Sequence, residues 1–368
     1  MHTFQMSTIK VLHVIARMNV GGTARYVGGL VKNIPESALA TGYVQGEEIE
    51  DSIVGELGAF RVPHLGRKIS LTNDLKAFFE LRRIIRKINP EIVHTHTFKA
   101  GLLGRLVPGN HKKIHTFHGH LFDDQSFSKS QKILITIAER FLARRTDTLV
   151  SVGKRVGSEL RESGIGRRRK WVSIPPGVNP LPKVEKGKAR ELLDLNPDAF
   201  LVGWMARVTT VKNPKMLVEV AKQLPNVQFV MAGGGDLYEE ISSSAPLNLR
   251  VIGWTDASLF WSSVDIALST SDNEGMPIAL IEAQLSSLPV VATDVGSNSE
   301  VIDNGNTGII VSNDLNQLVQ AVEQLIQTVD LLDQMSRSSK PWAMEQFSIA
   351  KLLQRHEDMY ATLVSERG

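Results

Sequence analysis

Short β-branched runs alternate with helix-length segments along the whole chain, and this alternation limits the fold more than any other feature. Strands separated by helix-length crossovers pair in parallel, so the chain is read as α/β. Lys10 to Ile15, Ile92-Val93-His94, Lys113 to Phe117, Leu149 to Val152 and Trp171 to Ile174 are predicted strands, and Thr23 to Ile34 is a predicted helix. The pattern stops at Pro175-Pro176-Gly177-Val178-Asn179-Pro180, which is too rich in turn residues to continue either element. It restarts after the charged segment Lys183 to Arg190, with Leu201 to Trp204, Val227 to Met231, Leu249 to Ile252, Ile266 to Leu268 and Pro289 to Ala292. The expectation is two Rossmann-like, doubly wound domains joined near residue 180 and facing each other across a cleft, and 368 residues suit that number.

Cysteine is absent, which excludes disulfides, thiolate metal sites, iron–sulfur clusters and cysteine nucleophiles. Met1 to Thr8 contains no basic region leading into an apolar run, and no stretch holds eighteen apolar residues. A cytoplasmic chain without a spanning helix is expected.

Charge is unevenly shared. Residues 1–180 carry 28 Lys and Arg against 15 Asp and Glu, a net +13, while residues 181–368 carry 14 against 24, a net −10. Basic clusters at Arg82 to Lys87, Lys129 to Arg145 and Arg167 to Lys170 suit a polyanionic surface as well as a solvated helix face. Nucleic acid is not expected, because supporting aromatic or zinc motifs are missing. Phe122 and Phe127 precede Lys129, Lys132, Arg140, Arg144 and Arg145 on an amphipathic helix predicted from Ser128 to Arg145. That arrangement suits an anionic membrane surface and places the chain on its inner face.

Four constellations carry chemistry. In Glu274-Gly275-Met276-Pro277-Ile278, Gly275 permits close backbone approach and Pro277 suits a first helical turn, so the free amides of a helix running to Ser286 should meet a ligand. Glu274 and Glu282 lie eight positions apart, and well-separated carboxylates can each accept from vicinal hydroxyls, one from a sugar and one from a ribose. An ordinary helix with acidic residues near its start explains the same spacing. Arg207 and Lys212 follow the strand Leu201 to Trp204 and could clamp a diphosphate, stabilising a departing nucleoside diphosphate without a metal ion. Gly21-Gly22 after the first strand and Gly233-Gly234-Gly235-Asp236 in the second half each suit close backbone approach or a tight turn.

The fourth is histidine: six of ten lie between positions 94 and 120. His94 and His96 share a strand face if that strand extends, but no nearby carboxylate completes a catalytic zinc set, and strand-end imidazoles facing the cleft are preferred over a metal. His118, beside Gly119, is the candidate for a sugar-hydroxyl contact opposite Glu274, and His13 and His356 are read as structural.

Taken in order, Gly21-Gly22, His118-Gly119, Gly177-Val178-Asn179, Arg207 with Lys212-Asn213-Pro214, Gly233 to Asp236 and Glu274 to Glu282 resemble the family 4 nucleotide-sugar glycosyltransferases of GT-B fold, across essentially the whole chain. The resemblance implies that Glu274 contacts donor-sugar hydroxyls, Glu282 the ribose, Arg207 and Lys212 the diphosphate, and the backbone of Gly275, Met276, Pro277 and Ile278 the sugar or phosphate. It further implies a base-binding edge at Ile252-Gly253-Trp254, donor contacts from Gly21 and Gly22, and a C-terminal segment that crosses back from about Pro341 to pack on the N-terminal domain. Thr23-Ala24-Arg25 departs from the acidic residue common after the diglycine, and Trp204-Met205-Ala206 from the commoner glycine before the arginine.

The expected reaction is transfer of a hexose or N-acetylhexosamine from a nucleoside-diphosphate sugar, UDP favoured, to an acceptor hydroxyl with retention, without metal or cofactor. A lipid-linked glycan intermediate of cell-surface polysaccharide is the expected acceptor. A nucleotide-sugar epimerase and a non-enzymatic polyanion-binding protein are the alternatives.

Overall fold

The structure, a computed structural model, describes residues 9–46, 48–66, 70–119 and 128–366, so His120, Phe122 and Phe127 lie outside the described residues. The chain divides into two compact units, residues 1–177 with 349–368, and residues 178–348.

In the first unit the strands are β1 (Val11–Ile15), β2 (Ser37–Thr41), β3 (Phe60–Arg61), β4 (Ile92–His96), β5 (Lys112–Phe117), β6 (Thr148–Ser151) and β7 (Lys170–Ser173). Between them run α1 (Gly22–Asn33), α2 (Ile53–Glu56), α3 (Leu71–Ile88), α4 (Phe98–Leu106), α5 (Lys129–Ala143) and α6 (Lys154–Glu162). The sheet has the order β3-β2-β1-β4-β5-β6-β7 and its pairs are parallel. The strand order therefore reverses between β1 and β4, and ligands of open parallel sheets lie beyond the carboxyl ends at such a reversal.

β1 and β4 are buried on both faces, which is why they read as short apolar or histidine-bearing runs and not as alternating ones. Leu12, Val14 and Val93 join Leu81 and Ala100 in one core. The period of two turns His13, His94 and His96 to the other face, and the register sets His13 against His94. The predicted helix from Ser128 is α5, started by a reciprocal capping box in which Gln131 N donates to Ser128 Oγ and Ser128 N to Gln131 Oε1.

The second unit contains α7 (Lys186–Leu192), β8 (Leu201–Met205), α8 (Pro214–Gln223), β9 (Gln228–Ala232), α9 (Tyr238–Ser244), β10 (Leu249–Gly253), α10 (Ala257–Ser263) and β11 (Ile266–Ser269). It continues with α11 (Ile278–Leu285), β12 (Val290–Thr293), α12 (Asn298–Val301), β13 (Gly308–Val311), α13 (Leu315–Gln327) and α14 (Val329–Phe347). Its parallel sheet has the order β10-β9-β8-β11-β12-β13, so the reversal falls between β8 and β11. Trp204, Leu217, Phe229, Met231, Ile266, Leu268 and Leu318 form the core of this unit.

The last helix, α15 (Ile349–Ser365), belongs to the first unit and buries Leu352, His356, Met359, Tyr360 and Leu363. The return was expected from Pro341 but occurs at Ser348. Pro341 lies inside α14, and the turns beyond it remain tied to the second unit: Ala343 and Phe347 are buried, and Trp342 Nε1 donates to the Val301 carbonyl at 2.8 Å. At the other crossing, a Cβ on Gly177 would lie 2.7 Å from Ile349 Cα, so glycine is needed for the two chain segments to pass.

Candidate active site

In the second unit, the loops after β8 and β11 meet at the strand reversal. Lys212 Nζ lies 2.5 Å from Glu274 Oε1, and Ser271 Oγ donates to the same oxygen at 2.7 Å. The Glu274 side chain is buried at 7% exposure and that of Lys212 is 19% exposed, so the pair is open to water on the lysine side only. Trp204, Thr270 and Asn213 hold its two loops in place. Trp204 Nε1 donates to Thr270 Oγ1 at 3.0 Å, and Thr270 Oγ1 donates to the Asn213 carbonyl at 2.9 Å, tying the residue after β11 to the backbone beside Lys212. Asn213, at φ 48°, caps α8 by accepting from Met216 N, and its amide donates to Asp272 Oδ1.

Arg207 is exposed, on a loop clamped by the triple glycine. Val208 N donates to the Gly234 carbonyl, and a Cβ on Gly233, at φ 128°, would lie 1.9 Å from the Ala206 carbonyl oxygen. Gly233 to Gly235 thus let one backbone rest on another. Gly253, at φ 72°, accepts from Gly233 N, and the exposed Trp254 ring covers Gly234. Beyond Glu274, Pro277 is the N-cap of α11 and not its first turn, and the helix begins at Ile278 with Met276 and Pro277 buried and Gly275 and Ile278 half-buried. The leading amides of any helix lack intrahelical acceptors, and those of α11 carry the positive end of its dipole. Gly296, at φ 50°, packs so tightly that a Cβ would sit 1.7 Å from the Glu274 carbonyl oxygen. Glu282 is buried in the second turn of α11.

In the first unit, Gly21 caps α1 at φ 151° and ψ −177°, a conformation open to glycine alone, and Gly22 begins the helix without an acidic side chain in its first turn. One turn on, Tyr26 stands edge-on to His118, 4.9 Å between ring centroids. Tyr26 thus links the helix that the diglycine opens to His118. Thr97, directly after β4, takes φ 64°, a strained value for a β-branched residue, while its hydroxyl accepts from Ala16 N.

His118 is one member of a histidine row. Its Nε2 lies 3.1 Å from His96 Nδ1, and His96 Nε2 lies 3.1 Å from His13 Nδ1. His94 Nδ1 meets the Tyr360 hydroxyl and its Nε2 Thr116 Oγ1, each at 2.7 Å, while Tyr26 joins His356 at 3.3 Å. His94 and His96, expected as strand-end imidazoles facing the cleft, are instead wholly buried beneath α1 and α15, because their strand face is the one those helices cover. Burial pushes His13 and His118 down to about 3 and His356 to about 4, and neighbouring imidazoles add to the burial that holds His94 and His96 well below the ordinary range. The row is neutral at pH 7.

Ligand atoms of His13, His94 and His96 lie within 4.8 Å of one another. Both nitrogens of His94 and both of His96 already have hydrogen-bonding partners, which leaves His13 Nε2 as the one nitrogen of the three without a partner among the described residues. A cation would have to break several of these bonds and would find no carboxylate in the group among the described residues.

Sequence reasoning proposed Arg207, Lys212, Glu274 and His118 singly, as candidates. It missed the pairing of Lys212 with Glu274 and the parts of Ser271, Thr270 and Trp204; a serine three residues before Glu274 and directly after a strand was the available signal.

Two parallel, doubly wound units, each with polar groups at its strand reversal, define the GT-B class. Residues 21–177 match the family described as "Glycosyl transferase 4-like domain", and residues 198–328 that described as "Glycosyl transferases group 1". The Escherichia coli UDP-Gal:alpha-D-GlcNAc-diphosphoundecaprenol alpha-1,3-galactosyltransferase is 28% identical over 382 residues, covering 97% of this chain and 98% of its own. Sucrose-phosphate synthase from Thermosynechococcus elongatus has the same fold, with a TM-score of 0.83 at 18% identity over 97% of this chain and 100% of that one. So does Anabaena HepE in complex with UDP-glucose, with 0.79 at 15% identity over 96% and 99%. The chain belongs to the family 4 glycosyltransferases and is a glycosyltransferase.

Proposed function

We propose that this enzyme transfers a hexose or N-acetylhexosamine from a UDP-sugar, with retention and without metal, to a hydroxyl of a lipid-linked glycan in cell-surface polysaccharide synthesis. The observation that carries this reading is the Lys212–Glu274 pair at the strand reversal, beside the leading amides of α11 and the exposed Arg207. A diphosphate draws Lys212 from Glu274, and the freed carboxylate then accepts from sugar hydroxyls. Arg207 and Lys212 stabilise the charge left on the departing nucleotide. Glu282 is assigned to the ribose, the backbone of Gly275, Met276, Pro277 and Ile278 to the sugar or phosphate, Gly253 to the base edge, and Gly21, Gly22 and His118 to the sugar side. The bond from the anomeric carbon to the β-phosphate oxygen breaks, the acceptor oxygen takes its place on the same face, and the acceptor's proton passes to that phosphate oxygen. No side-chain base is required.

A UDP donor and a lipid-linked acceptor accord with the name of the E. coli relative and with the UDP-glucose held by HepE. The helices of the first unit add support. On α5, Ile133, Leu134, Ile137 and Phe141 are exposed, ringed by Lys129, Arg140, Arg144 and Arg145. On α3, Leu71, Leu75 and Phe79 form a second exposed stripe at a spacing of four, with Lys76, Arg83 and Arg86 around it. Apolar stripes rimmed by cations suit an anionic bilayer surface. Among the described residues no helix is long and apolar enough to cross a membrane.

Thermal shift against UDP, GDP, ADP and their sugars in the presence of a chelator tests the donor. A ligand at a hundred times its Kd adds about 2.7 kcal/mol, so a UDP-selective rise lost in Glu282→Ala is expected, and a GDP-selective rise sinks the uridine assignment. Flotation with anionic vesicles at low salt, lost in Ile137→Ser/Phe141→Ser, is expected for the membrane face; equal recovery with neutral vesicles argues against it.

A further inference from the structure

We infer that the buried row His13–His96–His118 fixes the tautomer of His118, so that it carries its proton on Nδ1 and meets its ligand as a neutral hydrogen-bond donor. A neutral imidazole has one N–H and one bare nitrogen. Three rings joined by two hydrogen bonds, His13 Nδ1 to His96 Nε2 and His96 Nδ1 to His118 Nε2, therefore have two consistent arrangements. Either every ring is protonated on Nδ1 and the row donates from His13 towards His118, or every ring is protonated on Nε2 and it donates the other way.

The far end decides between them. His13 Nε2 is buried and has no hydrogen-bonding partner among the described residues. In the second arrangement that atom is an orphaned N–H, the rarest kind of unmade hydrogen bond in a protein interior. In the first it is a bare nitrogen, and the one proton not used within the row lies at the other end. The same choice leaves an N–H on His118 Nδ1, in a side chain that is only half-buried. Other groups around the row have their own partners: His94 is held by Tyr360 and Thr116, His356 by Tyr26 and the Leu352 carbonyl, and His115 by Thr95. Burial keeps the three rings neutral, so the row is not scrambled by a second proton near pH 7.

His13 and His96 are thus positioning residues, acting through His118. The tautomer assignment stands on the hydrogen bonds alone, whereas the donor role also rests on the sugar contact proposed above for His118.

The test is long-range ¹H–¹⁵N correlation on the full chain labelled with ¹⁵N-histidine at pH 7.5, with His13, His96 and His118 assigned by single substitution. Protonated Nδ1 and bare Nε2 are expected for all three, and a protonated Nε2 on His118 overturns the assignment without any functional variant. His13→Asn places an amide donor where Nδ1 stood, whereas His13→Leu removes it. His13→Leu should mix the His118 tautomers and lower kcat roughly tenfold at nearly unchanged donor KM, and His13→Asn should restore both. Equal loss in the two variants means that His13 only fills space. His118→Asn, which keeps a donor at the Nδ1 position, should outperform His118→Asp. Equal and full activity of that pair removes the sugar contact while leaving the tautomer assignment to the spectrum.

Discussion

At the strand reversal between β8 and β11 the polar groups are charged; at the one between β1 and β4 they are neutral. Lys212 and Glu274 form an ion pair with the lysine partly exposed, and Ser271 donates a further hydrogen bond to the carboxylate. His13, His94 and His96 are closed off by α1 and α15, with hydroxyls and other imidazoles for company. In the function proposed above, the first arrangement exchanges its ion pair for a phosphate, and the second offers only fixed dipoles to an uncharged, hydroxyl-rich ligand. Charge is not foreign to the first unit. Arg105 and Glu139 pair at 2.6 Å between α4 and α5, both wholly buried, but this pair is sealed from exchange.

Breaking that sealed pair should have the largest effect. Arg105→Met leaves Glu139 alone in the interior and should cost about 3–5 kcal/mol in urea unfolding, while the double variant Arg105→Met/Glu139→Leu should recover most of it. A small single-variant effect would show that water reaches the pair and that the contrast with Lys212–Glu274 is false. Next comes Arg207→Ala, expected to lower kcat about a hundredfold while leaving the melting temperature nearly unchanged, because the side chain is exposed. Unchanged turnover would remove Arg207 from the site.

Acid sharpens the contrast from the other side. In the unfolded chain these histidines titrate near 6.5, and in the folded chain His13 and His118 near 3 and His356 near 4. Between those values the unfolded state binds more protons, so the stability they contribute is complete above about pH 7 and falls as pH drops towards 4. Differential hydrogen exchange should show the first unit opening before the second as pH is lowered from 7 to 5, and simultaneous opening would contradict it. The smallest effect expected is that of Trp204→Phe, which removes one hydrogen bond to Thr270 and should cost about 1 kcal/mol, with a modest rise in donor KM as the Lys212 loop loosens.

Much of this was legible in the sequence because it depends on neighbours. The strands, the break after Ile174 and the helix from Ser128 follow from periodicity and turn chemistry within a few residues. Two local expectations needed adjustment, the position of Pro277 before α11 and the passage of α14 through Pro341, where packing within the second unit outweighs a missing N–H. The stripe Leu71, Leu75 and Phe79 was in plain view, but its exposure was not, because an apolar spacing of four is what a buried helix face also shows.

By itself, the sequence determined two doubly wound units and the GT-B class, and it supplied the candidate residues for a nucleotide sugar, for these rest on short-range pattern and on residue type. Only the tertiary structure decided which of them meet. Lys212 and Glu274 are 62 positions apart, and His13 and His96 are 83 apart. Such pairs are made by strand order and by the face each strand turns to its helices, and neither is written in the residues adjoining them.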